Sequence, residues 1–391
     1  MIFYQARIFL TQFNGLRFMN PKTKNNKSSL TFEKEERKNS DNLFEIKRRL
    51  KEEAFKLGID RLAITTAKPA KRLPEYMRWI ENGYHGEMGY LSRSDRLDRR
   101  RDINIILPEV KSVIVVVLRY WSSRVKSEEI SSYRGNISSY AWGRDYHKIL
   151  GGKLKALSRW LASYGGKNRW YVDTGAIQEK EFAVRAGIGF IGKNTMLIDP
   201  RYGSGFFLGE IMTTLALPED KSTPMPQCGS CQRCLLSCPT QAFVAPYILD
   251  ATRCISYLTI ELKDSIPTEF RAMIGNRIYG CDLCQVVCPW NNFAKENESP
   301  LWGTPSENIT RPLLFELSQI DQETFEKRFE GTPIRRIKRE RLLRNVAVAL
   351  GNTLSNEALP YLKNLANDDS ELIREHALWG LEQISKSKVA S

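Results

Sequence analysis

All eight cysteines of this 391-residue chain fall between Cys228 and Cys288. A disulfide framework spreads its bridges through a small secreted domain. A dense group inside a long chain points instead to metal ligation in a reducing compartment, and so to the cytoplasm. The length allows two or three domains, and 42% hydrophobic with 10% aromatic residues suffices for a sizeable core. The longest apolar stretches, such as Ser112–Leu118 (SVIVVVL), fall far short of the roughly 20 residues that cross a bilayer. No membrane span is expected. Lys and Arg number 59 against 45 Asp and Glu, a net +14, which favours a polyanionic partner such as nucleic acid or acidic lipid.

The spacing says more than the count. Cys228-Gly-Ser-Cys231-Gln-Arg-Cys234-Leu-Leu-Ser-Cys238-Pro239 follows the C-x2-C-x2-C-x3-C-P run of two-cluster ferredoxins, whose fourth cysteine serves the neighbouring cluster. The second half is Cys254 followed by Cys281-Asp-Leu-Cys284-Gln-Val-Val-Cys288-Pro289. The pairing that follows puts Cys228, Cys231, Cys234 and Cys288 on one 4Fe–4S cluster, and Cys238, Cys254, Cys281 and Cys284 on the other. Two four-cysteine zinc sites are the alternative, but they have different spacing and seldom carry both Cys-Pro dipeptides. Two clusters make a short electron wire, and a wire needs a terminus. No G-x-G-x-x-G follows a strand and no P-loop occurs, so no dinucleotide or nucleotide phosphate site is indicated. Three histidines, His85, His147 and His376, are too few for a His-rich metal centre.

The order of elements suggests four stretches. Residues 1–40 read as a disordered or mis-started extension, with Met19 a plausible true start. Residues 41–220 alternate helical and strand patterns, including an amphipathic Asp41–Leu57 and the strands Arg61–Thr66 and Ser112–Leu118, as a mixed α/β domain. Residues 221–295 form the cysteine domain, and 296–391 a connector followed by helices. In that tail Arg344-Asn-Val-Ala-Val-Ala-Leu-Gly returns thirty residues later as Arg374-Glu-His-Ala-Leu-Trp-Gly-Leu, which suits a short HEAT-like pair; two unrelated amphipathic helices are the alternative. The run Arg335, Arg336, Lys338, Arg339, Arg341 and Arg344 could project several cations from one ridge toward a phosphate backbone, or simply form a solvated face. Asp173 ends the strand Trp170–Val172 and precedes Thr-Gly. A partly desolvated carboxyl there could donate a proton near neutrality; the plainer role is an Asp bonding its own turn.

The cysteine pattern, with CPTQAF, RCISYLTIE and IGNRIYGCDLCQVVCPWN, resembles the epoxyqueuosine reductases, which complete the queuosine modification of tRNA. YAWGRDYHKIL (140–150), VDTGAIQEKEFAVRAGIGFIGKNTMLI (172–198) and RYGSGFFLGEI (201–211) extend the resemblance to roughly residues 42–385. It implies a flavin-reductase-like catalytic domain holding cobalamin base-off, without a lower His ligand; no D-x-H-x-x-G occurs here. It implies a tRNA carrying epoxyqueuosine as substrate, an unidentified low-potential electron donor, and a monomer. Asp173 matches the family's proton donor in VDTG. The implied cobalamin contacts are Arg100, Ser138, Asp173, Leu197, Leu208, Ser256 and Asp282, and the implied RNA contacts Arg335, Arg336, Lys338 and Arg339. A dehalogenase-like reductase of small molecules would share wire and cofactor but has no need of a basic tail. A bare ferredoxin-like carrier would leave the α/β domain and Asp173 without purpose.

Overall fold

The computed structural model describes residues 27–121, 133–220, 225–292, 294 and 307–389. Most of the expected connector after Asn292, and residues 1–26 of the expected extension, lie outside the described residues. The first helix, α1 (Lys27–Lys56), starts well before Asp41. The disorder expected for residues 1–40 is therefore corrected over 27–40.

A four-stranded sheet organises the first domain. It comprises β1 (Arg61–Thr66), β2 (Ser112–Arg119), β3 (Asn168–Tyr171) and β4 (Phe206–Thr213), in the order β1-β2-β4-β3. Every pairing in it is antiparallel. The expected mixture of α+β and α/β is thus narrowed to α+β for this domain, because alternation along the chain does not force parallel crossovers. Between the strands run α2 (Ser94–Arg101), α3 (Tyr146–Ala162) and α4 (Glu179–Arg185).

Both faces of the sheet are covered. Ile64, Ile114, Val116, Leu118 and Ile211 pack against Ile46, Leu50 and Ala54 of α1 and Leu150, Leu154 and Leu157 of α3. Val113, Val115, Val117 and Met212 pack on the other side against Phe182 and Ala183 of α4. Burial on both sides explains why SVIVVVL shows no polar alternation; each such side chain contributes about 1.5–3 kcal/mol. Gly209 lets α3 approach β4, since a Cβ there would meet Leu154 at 2.8 Å and Leu150 at 3.1 Å.

The helical tail is not a separate body. Its helices α6 (Lys338–Gly351), α7 (Leu359–Leu365) and α8 (Glu371–Val389) share one core with Trp121 and Ile137 of the first domain and Ile278 and Tyr279 of the cysteine domain. Polar side chains of α6 dock onto backbone carbonyls of the cysteine domain. Arg344, fully buried, donates to Leu258 O (2.7 Å), Leu262 O (2.9 Å) and Asp264 O (2.7 Å) around the end of α5 (Ile255–Ile260). Asn345 donates to Thr259 O and Ile278 O, and Arg341 to Ile260 O. Arg344 therefore leaves the predicted cationic ridge; it is an internal clamp. Among the described residues, no helix is long and apolar enough to cross a membrane.

Arg344→Met removes donors from three carbonyls, two of them on buried residues, so unfolding in urea should show a loss of about 3 kcal/mol or more. Because α5 follows directly on Cys254, iron retention should fall with it. A change under about 0.5 kcal/mol, the range of an ordinary surface substitution, would contradict the clamp.

Candidate functional site

The fold gathers the cysteines into two groups. Cys234 neighbours Cys228, Cys231 and Cys288. Cys284 neighbours Cys281 and Cys254, and Cys254 in turn neighbours Cys238. The first group lines a cavity with Asn194, Ile198, Pro289 and Trp290. The second lies deeper and borders Lys180 of α4. Backbone N–H groups point at the sulfurs: Lys193 to Cys228 (3.4 Å), Ala242 to Cys238 (3.3 Å), and Ser256 and Tyr257 to Cys254. Such donors favour thiolates and tune a cluster's potential. Burial, followed by repulsion from neighbouring sulfurs, pushes the Cys234 and Cys284 thiols up, so the positive charge of bound iron is what would keep them ionised. Among the described residues, no three His, Cys, Asp or Glu converge on a point fit for a single ion.

Asp173 lies in a strained turn between β3 and α4. Its φ is +60°, and Thr174 N–H donates to Val172 O at 2.6 Å across it. This i→i+2 bond around a left-handed residue is the rare, costly hand of the γ-turn, and strain of that kind concentrates at functional sites. Several groups hold it in place. Asp173 N–H donates to Glu179 Oε1 at 2.9 Å, Arg96 of α2 donates to Thr174 O at 3.1 Å, and Tyr146 Oη donates to Asp173 Oδ2 at 2.6 Å. Burial, then the Asp173 charge, raises the Tyr146 phenol far above its usual range, so it stays a donor. The Asp173 side chain itself is 61% exposed, with His147 Nε2 at 3.8 Å.

Asp173 faces a cleft. Tyr90 and Glu261 feel its charge from the opposite side, and the cysteine group containing Cys284 adjoins the cleft through Lys180. Lys180 is enclosed by protein yet solvent-exposed, as a side chain lining a deep opening must be. Behind it, Glu179 meets Glu210 of β4, and burial followed by their neighbours' negative charge raises both carboxyls. Tyr146, Arg96, Lys180 and this carboxyl pair were not singled out from sequence. The one available signal was a Glu inside the apolar run FFLGEIM.

The implied cofactor contacts fall unevenly. Arg100 is buried, its guanidinium 4.9 Å from the Tyr76 ring centroid, and burial lowers its pKa. Ser138 Oγ donates to Asp282 Oδ1 at 2.5 Å, and Ser139 N–H to Asp282 Oδ2 at 2.7 Å. Ser256 acts through its N–H on Cys254. Leu208 is half-buried, but Leu197 is 3% exposed within the core beneath Val113 and Phe206. A contact of Leu197 with a ligand would therefore run through its backbone. Of the implied RNA contacts, Arg336 binds Asp145 (2.8 Å) and lies over Tyr146, and Arg339 binds Asp368 (2.9 Å). For Asp145, burial is outweighed by His147 and Arg336, which hold its carboxyl far below the ordinary range. Arg335 and Lys338 face solvent.

Two thiolate groups, one of them beside a cleft that holds a strained carboxylate, define an iron–sulfur oxidoreductase with its own active-site domain. A family model described as a 4Fe-4S double cluster binding domain matches residues 227–291, and one described as Epoxyqueuosine reductase QueG, DUF1730 matches 100–174. Epoxyqueuosine reductase of Pseudomonas aeruginosa is 40% identical over 339 residues, covering 85% of this chain and 93% of the relative. That of Escherichia coli K12 is 37% identical over 350 residues, covering 87% and 90%. A crystal structure of epoxyqueuosine reductase with a tRNA-Tyr epoxyqueuosine-modified stem loop superposes with a TM-score of 0.80 at 35% identity, over 88% of this chain and 91% of the other. The structure from Bacillus subtilis gives 0.79 at 34%, over the same shares. The chain belongs to the epoxyqueuosine reductase family, and its cysteine domain is a double 4Fe–4S cluster domain.

Wild-type protein reconstituted without oxygen should hold about eight irons. Cys234→Ser with Cys288→Ser should leave about four irons, because both serve one cluster. Cys234→Ser with Cys254→Ser should leave almost none. Equal iron in the two double variants would refute the grouping.

Proposed function

We propose that this chain reduces epoxyqueuosine at the wobble position of a tRNA to queuosine, releasing the epoxide oxygen as water. The observation that carries this reading is the placement of Asp173, exposed on a strained turn in a cleft that adjoins the inner cluster. The relatives named epoxyqueuosine reductase cover most of the chain and support the same substrate.

Cobalamin fits the cleft by its openness. Asp173, Thr174 and Lys180 keep exposed surface inside walls contributed by α2, α3, α4 and the cysteine domain. Of the three histidines, two are held by hydrogen bonds through a ring nitrogen. His147 has its Nδ1 at 2.9 Å from Asp145, and His376 is fully buried in the tail, accepting from Ile266 N–H. When bound, the corrinoid supplies strongly reducing electrons to the epoxide. Arg100, Ser138, Leu197, Leu208, Ser256 and Asp282 stand as its proposed surroundings, Leu197 through its backbone.

The chain's own residues do the rest. Asp173 donates a proton to the departing oxygen, and the Tyr146 hydroxyl orients its carboxyl. Arg96 and Glu179 hold the turn against relaxation. Electrons from a low-potential donor enter at the Cys228 group, the one that does not border Lys180, and leave by the Cys284 group beside the cleft. We read the tail as HEAT-like, its Gly351 and Gly380 allowing α6 and α8 to cross closely. Arg335 and Lys338 supply cations for tRNA phosphates; the 3.9 Å contact of Arg335 with Glu326 is a weak surface pair. Arg336 and Arg339 are tied within the protein and steady the tail against the site. A cytoplasmic monomer suffices for this chemistry.

Asp173→Asn should lower reduction of epoxyqueuosine tRNA at least 100-fold, as expected for a lost proton donor, with iron content, corrinoid content and tRNA affinity unchanged. Retained turnover would remove Asp173 from its role. Replacing both Arg335 and Lys338 by Ala should weaken tRNA binding and flatten its salt dependence by roughly one to two units of slope. An unaltered slope would take the tail out of the RNA interface.

A further inference from the structure

Turning an epoxide into an alkene and water consumes two electrons and two protons. Both C–O bonds break, a C=C bond forms, and the oxygen is protonated twice. Asp173 carries one proton at a time. The structure contains a second store.

Glu210 is 0% exposed in the middle of β4, and neither of its carboxyl oxygens meets a hydrogen-bond donor among the described residues. Its polar neighbour is the carboxyl of Glu179. Fully buried beside a second carboxyl, Glu210 is satisfied only if a proton lies between the two, because an isolated buried charge neutralises rather than persists. The other ionisable groups facing the pair are Lys180 of α4, Asp173 beyond β3, and Arg100 of α2, which faces Glu179. From β2 and β3 the residues opposite Glu210 are Val115 and Tyr171. Glu179 also accepts the Asp173 N–H at 2.9 Å, so the pair is joined to the turn that carries the donor.

We infer that Glu179 and Glu210 hold a shared proton in reserve and reload Asp173 for the second protonation. This rests on the reduction proposed above. The proton leaves Glu179, reaches the Asp173 carboxylate and ends on the departing hydroxide, a far stronger base than any carboxylate. Lys180, beside both Glu179 and Asp173, offsets the charge left behind. The two glutamates act through Asp173 and do not touch the substrate.

The test combines infrared spectroscopy with single turnover of the cluster- and cobalamin-loaded protein. Without substrate at neutral pH, the wild type should show a protonated-carboxyl band that Glu210→Gln and Glu179→Gln each abolish. Both variants should keep iron, corrinoid and tRNA binding while turning over on the order of 100-fold more slowly. A raised pKa keeps the protonated form available until pH climbs through it. Wild-type turnover should therefore persist above the usual carboxyl range, and the alkaline limb should move to lower pH in Glu210→Gln. Glu179→Gln retains an acceptor for the Asp173 N–H, so its slowing reports the lost proton and not a lost support. Absence of the band, or variants with the wild-type rate and pH profile, would overturn the inference. Failure of the wild type to reduce epoxyqueuosine tRNA would overturn the functional reading and the relay with it, while the band would still decide whether the pair holds a proton.

Discussion

Burying two sets of thiolates is the constraint on which the rest of this molecule depends. Each set draws on distant stretches of chain. Cys288 returns to Cys228, Cys231 and Cys234, while Cys238 crosses to Cys254, Cys281 and Cys284. Sulfurs so placed need backbone donors aimed at them and a frame that cannot spread. The donors come from short helix starts after Cys254 and Cys281 and from the loop at Lys193. The frame comes from α6, whose Arg344 and Asn345 close on the carbonyls around α5. A tail that resembles an appendage is thus part of the cluster housing.

The same housing sets the active-site face. Arg336, at the start of the tail, grips Asp145 beside His147, and Tyr146 from the same turn of α3 holds Asp173. Asp282, next to Cys281, is joined to Ser138 and Ser139 from the catalytic domain. The cluster domain, the tail and the proton donor are therefore linked by short polar contacts, and the strained turn at Asp173 is held from three directions. Strain held in this way keeps a carboxyl exposed where relaxation would fold it onto its own turn.

Much of this was legible in the chain. Cysteine spacing carries the cluster grouping because cubane ligation fixes which sulfurs can share a centre. Asp173 was visible as a carboxylate ending an apolar strand before Thr-Gly. Strand direction was not, since antiparallel pairing of β2 with β4 depends on residues some ninety positions apart. Arg344 was misplaced for a different reason: a basic run shows charges but not the carbonyls that receive them. Glu179 and Glu210 escaped because nothing within either quoted motif pairs one with the other, and only the fold puts them face to face. Leu197 was legible as a motif position, and the fold adds that its side chain is sealed in the core.

The central claim is that the clusters and the Asp173 cleft form one reductive site for a modified tRNA base. Mass spectrometry of nucleosides from epoxyqueuosine tRNA, after one anaerobic turnover by the reduced, cobalamin-loaded protein, tests it most directly. The account predicts conversion to queuosine, with the loss of a single oxygen. Unchanged epoxyqueuosine, from protein shown to hold both clusters and the corrinoid, would contradict it.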